Sequence, residues 1–329
     1  MTRPLDAFGL TLDEYHGRDA AMQQCLEQAR LAARTDLPIL ILGESGTGKT
    51  LLARAIHNSS SRAKGPFVSF NAAALSDTLM DSQLFGHERG AFTGAQNRVK
   101  GKFELAHRGT LFIDEIADMS PAGQAKILRA VEYGEFERLG SETIQEADVR
   151  LISATHFPVG SFLQQDRFRQ DLFFRISGLT VTVPPLRERQ RDLPLLLAAE
   201  IGRASRKQGK SIIGLERSAA DRIFAYSWPG NLRELSRVID AAVAVAPAEV
   251  ITADALLFQP FFAPSPSEPP EPGSPSMPET SEGNGVLTLA AAERRHVENV
   301  LGQMGGNKRR AAKALGISRS TLDRKLASP

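Results

Sequence analysis

The sequence contains one cysteine, Cys25, so no disulfide can form within the chain and no cysteine-rich zinc site can be built. On a helix-patterned stretch such a thiol is by default a small core residue. Six histidines are present, and none is spaced from another like a pair of metal ligands. No run is long and apolar enough to span a bilayer. The N-terminus, Met1-Thr2-Arg3-Pro4-Leu5-Asp6, lacks the apolar segment of a secretory leader. These gaps point to the cytoplasm.

A strong overall charge is also missing, since the net charge is +2 over 329 residues. The balance hides a division. Residues 287–329 carry nine Lys/Arg against three Asp/Glu, whereas residues 259–286 carry four Glu and no basic residue. The remainder is neutral. A compact basic tail on a neutral body points to a nucleic-acid contact at the C-terminal end. The acidic stretch between them holds eight prolines and few apolar residues after Phe262, the composition of an extended, disordered linker.

What the chain does have is Gly43-Glu44-Ser45-Gly46-Thr47-Gly48-Lys49-Thr50, set between the apolar run Pro38–Leu42 and a helical pattern over Leu51–Ile56. Strand, glycine-rich loop and helix are the context that makes G-x-x-x-x-G-K-[ST] a phosphate site. Glycines let several backbone N–H groups point at one phosphate chain, and the helix start adds partial positive charge. Lys49 is placed to reach the β- and γ-phosphates, and the Thr50 hydroxyl to ligate Mg²⁺. Further strands are expected over Pro66–Asn71, Gly109–Glu115, Val149–Thr155 and Leu179–Val183, alternating with helices. That alternation predicts a parallel sheet covered on both faces.

The strand Gly109–Glu115 ends in two acids, as expected of a Walker B segment. Asp114 would hold Mg²⁺ and Glu115 would polarise the attacking water. The plain alternative is an acid capping the next helix, which Ser120-Pro121 soon opens. Two further features stay open on the residues alone. Gly90-Ala91-Phe92-Thr93-Gly94-Ala95 is either an exposed working loop or a buried turn that packs Phe92. The arginines of Arg167–Arg175 are either solvated partners of Asp166 and Asp171 or arginine fingers that stabilise a transferring phosphoryl group.

From Arg187 to Ala246 the pattern is helical, and Trp228–Leu235 reads as a turn opening an amphipathic helix; Arg233 there is placed either to reach the phosphates or to pair locally. At the end, Asn307–Leu326 holds a short helix, a turn at Gly316 and a second short helix capped by Ser318, which makes a helix-turn-helix. Arg309 and Arg310 supply charge before the turn, and Arg319, Ser320, Thr321, Arg324 and Lys325 would face DNA.

Together these motifs resemble the sigma-54-dependent transcriptional activators, the bacterial enhancer-binding proteins of the AAA+ ATPase class. The resemblance covers about residues 14–258 and 287–326. It implies a division into a lead-in (1–13), an α/β nucleotide-binding subdomain (14–186), a helical lid (187–258), the linker (259–286) and a Fis-type helix-turn-helix domain (287–329). Gly90 to Ala95 is identical to the family's loop that touches sigma-54, which favours the exposed reading. Thr50 stands where many members carry Glu. The resemblance further implies that Asn71 restrains the catalytic Glu115, that Arg169 and Arg175 act on the neighbouring subunit's ATP, and that Thr155-His156 and Arg233 are sensors. It implies ATP and Mg²⁺ as ligands, a hexameric ring, upstream enhancer-like DNA, and sigma-54 RNA polymerase as the partner driven from closed to open complex. Most members carry a regulatory domain ahead of the nucleotide-binding subdomain and none is read here. Control by a partner protein acting in trans, or by expression alone, is therefore expected. The rival readings are an AAA+ repressor that never engages sigma-54 and a protein-remodelling chaperone. The intact loop argues against the first and the helix-turn-helix against the second.

Overall fold

In the computed structural model, residues 9–15, 17–73, 76–157, 168–247, 249–258, 307–314, 317–318 and 321–322 are described. The strands, in chain order, are β1 (Ile39–Leu42), β2 (Phe67–Asn71), β3 (Gly86–His87), β4 (Val99–Lys100), β5 (Gly109–Asp114), β6 (Glu135–Glu137), β7 (Ile144–Glu146), β8 (Val149–Thr155), β9 (Leu179–Thr182), β10 (Gly214–Leu215) and β11 (Val250–Ile251). Five of them form one parallel sheet in the order β2-β5-β8-β1-β9. All five expected strands are present, shortened by at most one residue at either end.

Alternation along the strands sends side chains to opposite faces. On β5, Leu111 and Ile113 join one buried cluster with Phe70, Leu84 and Ile127, while Phe112 joins the other with Ile39, Ile41 and Ile152. Both faces are therefore dry, as a parallel sheet requires. The first face is covered by α3 (Asp77–Phe85) and α5 (Pro121–Tyr133), the second by α1 (Ala20–Ala33) and α2 (Lys49–Asn58). The short helix α4 is Lys102–Leu105. Ser120 caps α5 by accepting the Gly123 N–H at 3.2 Å, with Pro121 at the first helical position.

Residues 9–13, the described part of the lead-in, are held against the end of α2. Leu12 is buried, its N–H donates to Ser59 Oγ at 2.9 Å, and Asn58 Nδ2 donates to Leu10 O at 2.8 Å. Two apolar residues spaced by one carry no periodicity to read, yet they close the end of α2.

After α6 (Gln170–Ile176), the lid consists of α7 (Leu193–Gln208), α8 (Arg217–Ala225), α9 (Asn231–Val245) and the small parallel pair β10–β11. In α9 the apolar positions Leu235, Val238, Ile239, Ala242 and Val243 recur at helical spacing, and all are buried. They pack around Trp228, which is fully buried and donates its indole N–H to Ile223 O at 3.0 Å. Trp228→Ala is expected to cost about 3–5 kcal/mol of lid stability, read as a lower urea midpoint. A loss below about 1 kcal/mol would place the ring outside the lid core.

The C-terminal unit, residues 264–329, is separate from the first. Its described part contains α10 (Lys308–Ala314), where Asn307 Oδ1 accepts the Arg310 N–H at 3.2 Å. Ser318 caps the following turn by accepting the Thr321 N–H at 3.1 Å. Ala311, Ala312 and Leu322 are buried, and Arg309 and Arg310 are exposed. Arg319, Ser320, Arg324, Lys325 and the proline-rich stretch lie outside the described residues. Among the described residues no helix is long and apolar enough to cross a membrane.

Candidate functional site

The sheet order determines the site. β1 lies between β8 and β9 and beside neither neighbour in sequence, so the carboxyl ends of β1, β5 and β8 converge where the chain changes direction. Such switch points are where open α/β sheets bind ligands. β1 ends at the phosphate loop, β5 at Asp114 and Glu115, and β8 at Thr155 and His156.

The loop turns through left-handed backbone at Gly46 (φ +79°) and Gly48 (φ +102°), conformations that favour glycine. A Cβ at Gly46 would stand 2.4 Å from Gly230 O, so the loop also needs glycine for the close approach of the lid. Gly43 and Thr47 complete the turn, with Thr47 buried and its hydroxyl donating to Glu44 O at 2.9 Å. Lys49 Nζ donates to Gly43 O at 2.8 Å and Glu44 O at 3.2 Å and lies 3.8 Å from Glu115 Oε1. Burial draws its pKa below the ordinary lysine value.

Thr50 Oγ1 lies 3.4 Å from Asp114 Oδ2. Burial, and then the neighbouring Glu115, raises the Asp114 carboxyl above its ordinary pKa. A hydroxyl beside two crowded carboxylates, whose charge Lys49 offsets only in part, is a hard oxygen donor set that fits Mg²⁺. Glu115 sits in left-handed backbone (φ +52°), a cost that a non-glycine residue bears most often at functional sites. It stands at the start of a single 3₁₀ turn, Ile116–Asp118, and its side chain makes no cap bond. Its carboxylate is not consumed by helix capping.

The partner of that carboxylate differs from the one implied by the resemblance. Asn71 lies beside Asp114 in register, but its Oδ1 accepts the Ala73 N–H at 2.8 Å. Glu115 Oε2 instead accepts from the His156 backbone N–H at 3.2 Å and lies 2.7 Å from His156 Nδ1. The chain end of β8 carries that histidine inward, whereas the end of β2 turns Asn71 outward.

Arg169 and Arg175 flank α6, and both are exposed. Arg169 forms a two-pronged pair with Asp171 at 2.7 and 3.1 Å, and Arg175 donates to Glu132 O at 3.2 Å. Among the described residues their bonds are to Asp171 and Glu132, and neither is to the phosphate loop. Arg233 does reach that loop, donating to Ser45 Oγ at 2.7 Å.

The loop Gly90–Ala95 combines the two readings left open. Its base closes through Gly90 N–H to Ala95 O at 2.8 Å, with Ala95 buried and Phe92 half-buried, edge-on to His87 at 5.0 Å. Thr93 and Gly94 are exposed at the tip. The antiparallel pair β3–β4 forms its stem.

Three residues escaped the sequence reading. Arg138, after β6, is buried among Glu104, Glu88 and Gln145. Arg187 forms a two-pronged pair with Glu44 at 2.7 and 2.9 Å, which with Asn231 lowers the Glu44 pKa. Asn231 is fully buried between lid and phosphate loop. No local pattern marks any of them, because Glu104, Glu88 and Glu44, the acids they bond to, are more than 30 residues away in sequence.

Residues 15–182 match the family of the Sigma-54 interaction domain, residues 187–271 the AAA+ ATPase lid domain and residues 288–328 the Fis family of bacterial regulatory proteins. The transcriptional regulatory protein ZraR of Escherichia coli K12 is 41% identical over 311 residues, 94% of this chain and 68% of that protein. The DNA-binding transcriptional regulator NtrC of Azospirillum brasilense is 39% identical over 328 residues, 94% of this chain and 68% of that protein. Among solved structures, NtrX of Brucella abortus in complex with ADP aligns with a TM-score of 0.68 at 35% identity, covering 97% of this chain and 69% of that one. With the phosphate loop, the paired acids and the loop Gly90–Ala95 assembled as described, the chain belongs to the sigma-54-dependent transcriptional regulators, AAA+ ATPases with a Fis-type DNA-binding domain.

Proposed function

We propose that this chain activates transcription as a ring of six subunits with one ATP at each subunit junction.

 Lys49, Thr50, Asp114, Glu115 and Arg233 would act on one side of the junction, and Arg169 and Arg175 on the other. The observation that carries this reading is the division of labour within one chain. The phosphate loop and acids converge at one end of the sheet, while the two exposed arginines, Arg169 just before α6 and Arg175 in its last turn, bond to Asp171 and Glu132 and not to that loop. A neighbour's arginines would complete the charge around the transferring phosphoryl group.

Each side chain has a step. The backbone of Gly46–Thr50 cradles the phosphates and Lys49 neutralises their charge. Thr50 and Asp114 would hold Mg²⁺, which when bound would supply positive charge against the phosphates. Glu115 takes a proton from the attacking water, and His156 orients that carboxylate. ATP binding would raise the loop carrying Phe92 and Thr93 toward sigma-54, and hydrolysis would then drive the closed promoter complex to the open one. Exposed Arg309 and Arg310 would contact phosphates of an upstream site, holding subunits at a high local concentration for assembly.

The test is ATP-dependent promoter opening by purified sigma-54 polymerase, with wild type and Thr93→Ala. Wild type is expected to open the promoter only with hydrolysable ATP, and Thr93→Ala to hydrolyse ATP while opening none. A wild type that hydrolyses ATP and binds its DNA, yet opens no promoter even with cell extract added, overturns the activator reading.

A further inference from the structure

The outer side of the phosphate loop is held by the lid. Three consecutive loop residues, Glu44, Ser45 and Gly46, each bond to it. Leu232 N–H donates to Gly46 O at 3.0 Å, and Arg233 donates to Ser45 Oγ at 2.7 Å. At the centre stands Asn231, whose amide uses both of its ends. Its Oδ1 accepts the Leu186 N–H at 2.7 Å, where the chain enters the lid. Its Nδ2 donates to Glu44 Oε2 at 3.1 Å and to Ser45 O at 3.0 Å. Arg187 grips the same Glu44 carboxylate from the other side.

Burial decides which of these contacts matters most. The Glu44 and Arg187 side chains are 41% and 45% exposed, and an ion pair that open to water contributes little by itself. Asn231 is fully buried, so breaking its bonds leaves polar groups without water to replace them. Its backbone is left-handed (φ +52°), which Asn tolerates better than most residues. Nothing in helix packing calls for that residue at that angle, but an amide aimed at Glu44 and Ser45 does.

We infer that Asn231, acting through Glu44 and Ser45, is a positioning residue that makes lid orientation and phosphate affinity a single equilibrium. The shape of the loop that binds a nucleoside diphosphate is the shape in which Asn231 bridges loop and lid. Phosphate binding therefore fixes the lid, and a lid held in place tightens phosphate binding by the same factor. This role is distinct from that of Arg233, whose charge can act on the phosphates directly. It rests on residues 43–50 being the phosphate loop, and not on the ring or on sigma-54.

The experiment measures binding of a fluorescent ADP and steady-state ATP hydrolysis by the full chain. Asn231→Asp keeps the shape and tolerates the backbone angle, but it removes the donor to Ser45 O and sets a carboxylate against Glu44. ADP affinity is expected to fall about tenfold or more, with a matching rise in KM for ATP and a smaller change in kcat. Adding Glu44→Gln to that variant supplies an amide that can donate to the new carboxylate, and part of the lost affinity should return, the donor to Ser45 O still being absent. The exposed Arg187→Ala, which leaves the buried bridge intact, should weaken ADP by only a few-fold. Unchanged ADP affinity in a folded Asn231→Asp protein, or a double variant no better than the single one, overturns the inference. Failure of the phosphate-loop reading looks different, since wild type would then bind ADP no better than Lys49→Ala.

Discussion

Glu115→Gln is expected to reduce ATP hydrolysis by about a hundred- to ten-thousandfold while leaving ATP binding intact. The amide has the shape of the carboxylate and can still accept from the His156 backbone N–H, which now lies 3.2 Å from Oε2. What it lacks is basicity, the property a general base needs. Binding should not suffer. The Asp114 pKa is raised first by burial and next by the Glu115 charge, so removing that charge lowers it and favours the ionised form that holds a cation. The two effects move apart, which is what single-turnover hydrolysis and equilibrium ATP binding, measured side by side, can read. His156→Ala should give a weaker version. The base would remain but lose its orienting partner 2.7 Å away, and a misplaced general base costs rate without abolishing it. Wild-type hydrolysis by Glu115→Gln would remove Glu115 from its role.

How much of this could be read from sequence follows from where each residue's partners lie. The strand β5 is a run of apolar residues ending in acids, and β1 leads into a glycine-rich loop, so both carry their meaning within ten residues. The helix α9 is legible for the same reason, since its buried positions repeat at helical spacing. Glu115 was legible as an acid but not as a residue in left-handed backbone, because that angle is set by the packing of the following turn. Asn71 and His156 show the limit most clearly. Each ends a strand of the same sheet, and only the course of the chain after the strand decides which one turns toward Glu115. The half-burial of Phe92 is a similar case, since the ring's partner His87 is five residues away on the loop's own stem. Arg138 had no local signal at all, sitting after two glutamates in a strand that alternates charge and aromatic.

Arg138→Ala is expected to separate ATP hydrolysis from promoter opening. The guanidinium, 5% exposed, makes paired bonds of 2.8 Å to both oxygens of Glu104 on α4 and one of 2.9 Å to Glu88 at the base of the Gly90–Ala95 loop. Backbone bonds run in parallel. Glu88 N–H donates to Leu139 O and Leu139 N–H to Gly86 O, each at 3.0 Å, so the segment after β6 is stitched to the loop stem. Ala91 also lies against this segment, where a Cβ at Gly140 would come within 2.8 Å of its own. Removing the arginine leaves Glu104 without its bonded counter-charge and Glu88 with only Arg98, at 3.4 Å; breaking a buried pair from one side costs about 3–5 kcal/mol, less at a carboxylate partly open to water such as Glu88. The cost falls on the loop and its stem and not on the phosphate site, which shares none of these bonds. Arg138→Ala should therefore keep most of its ATP turnover, show faster hydrogen exchange over residues 86–100, and fail to open a sigma-54 promoter. Arg138→Lys should rescue little, because an ammonium cannot match both Glu104 oxygens and Glu88 at once. The pH dependence has a definite sign. The Arg138 hydrogen bonds hold the Glu104 carboxyl below its ordinary pKa, so its contribution is complete above the unfolded value of about 4.3 and is lost as pH falls through the folded one. Wild type should accordingly show loosening of the same segment in acid, and Arg138→Ala should show it already at neutral pH. Unchanged exchange over the stem in Arg138→Ala would mean that the backbone bonds alone hold the loop.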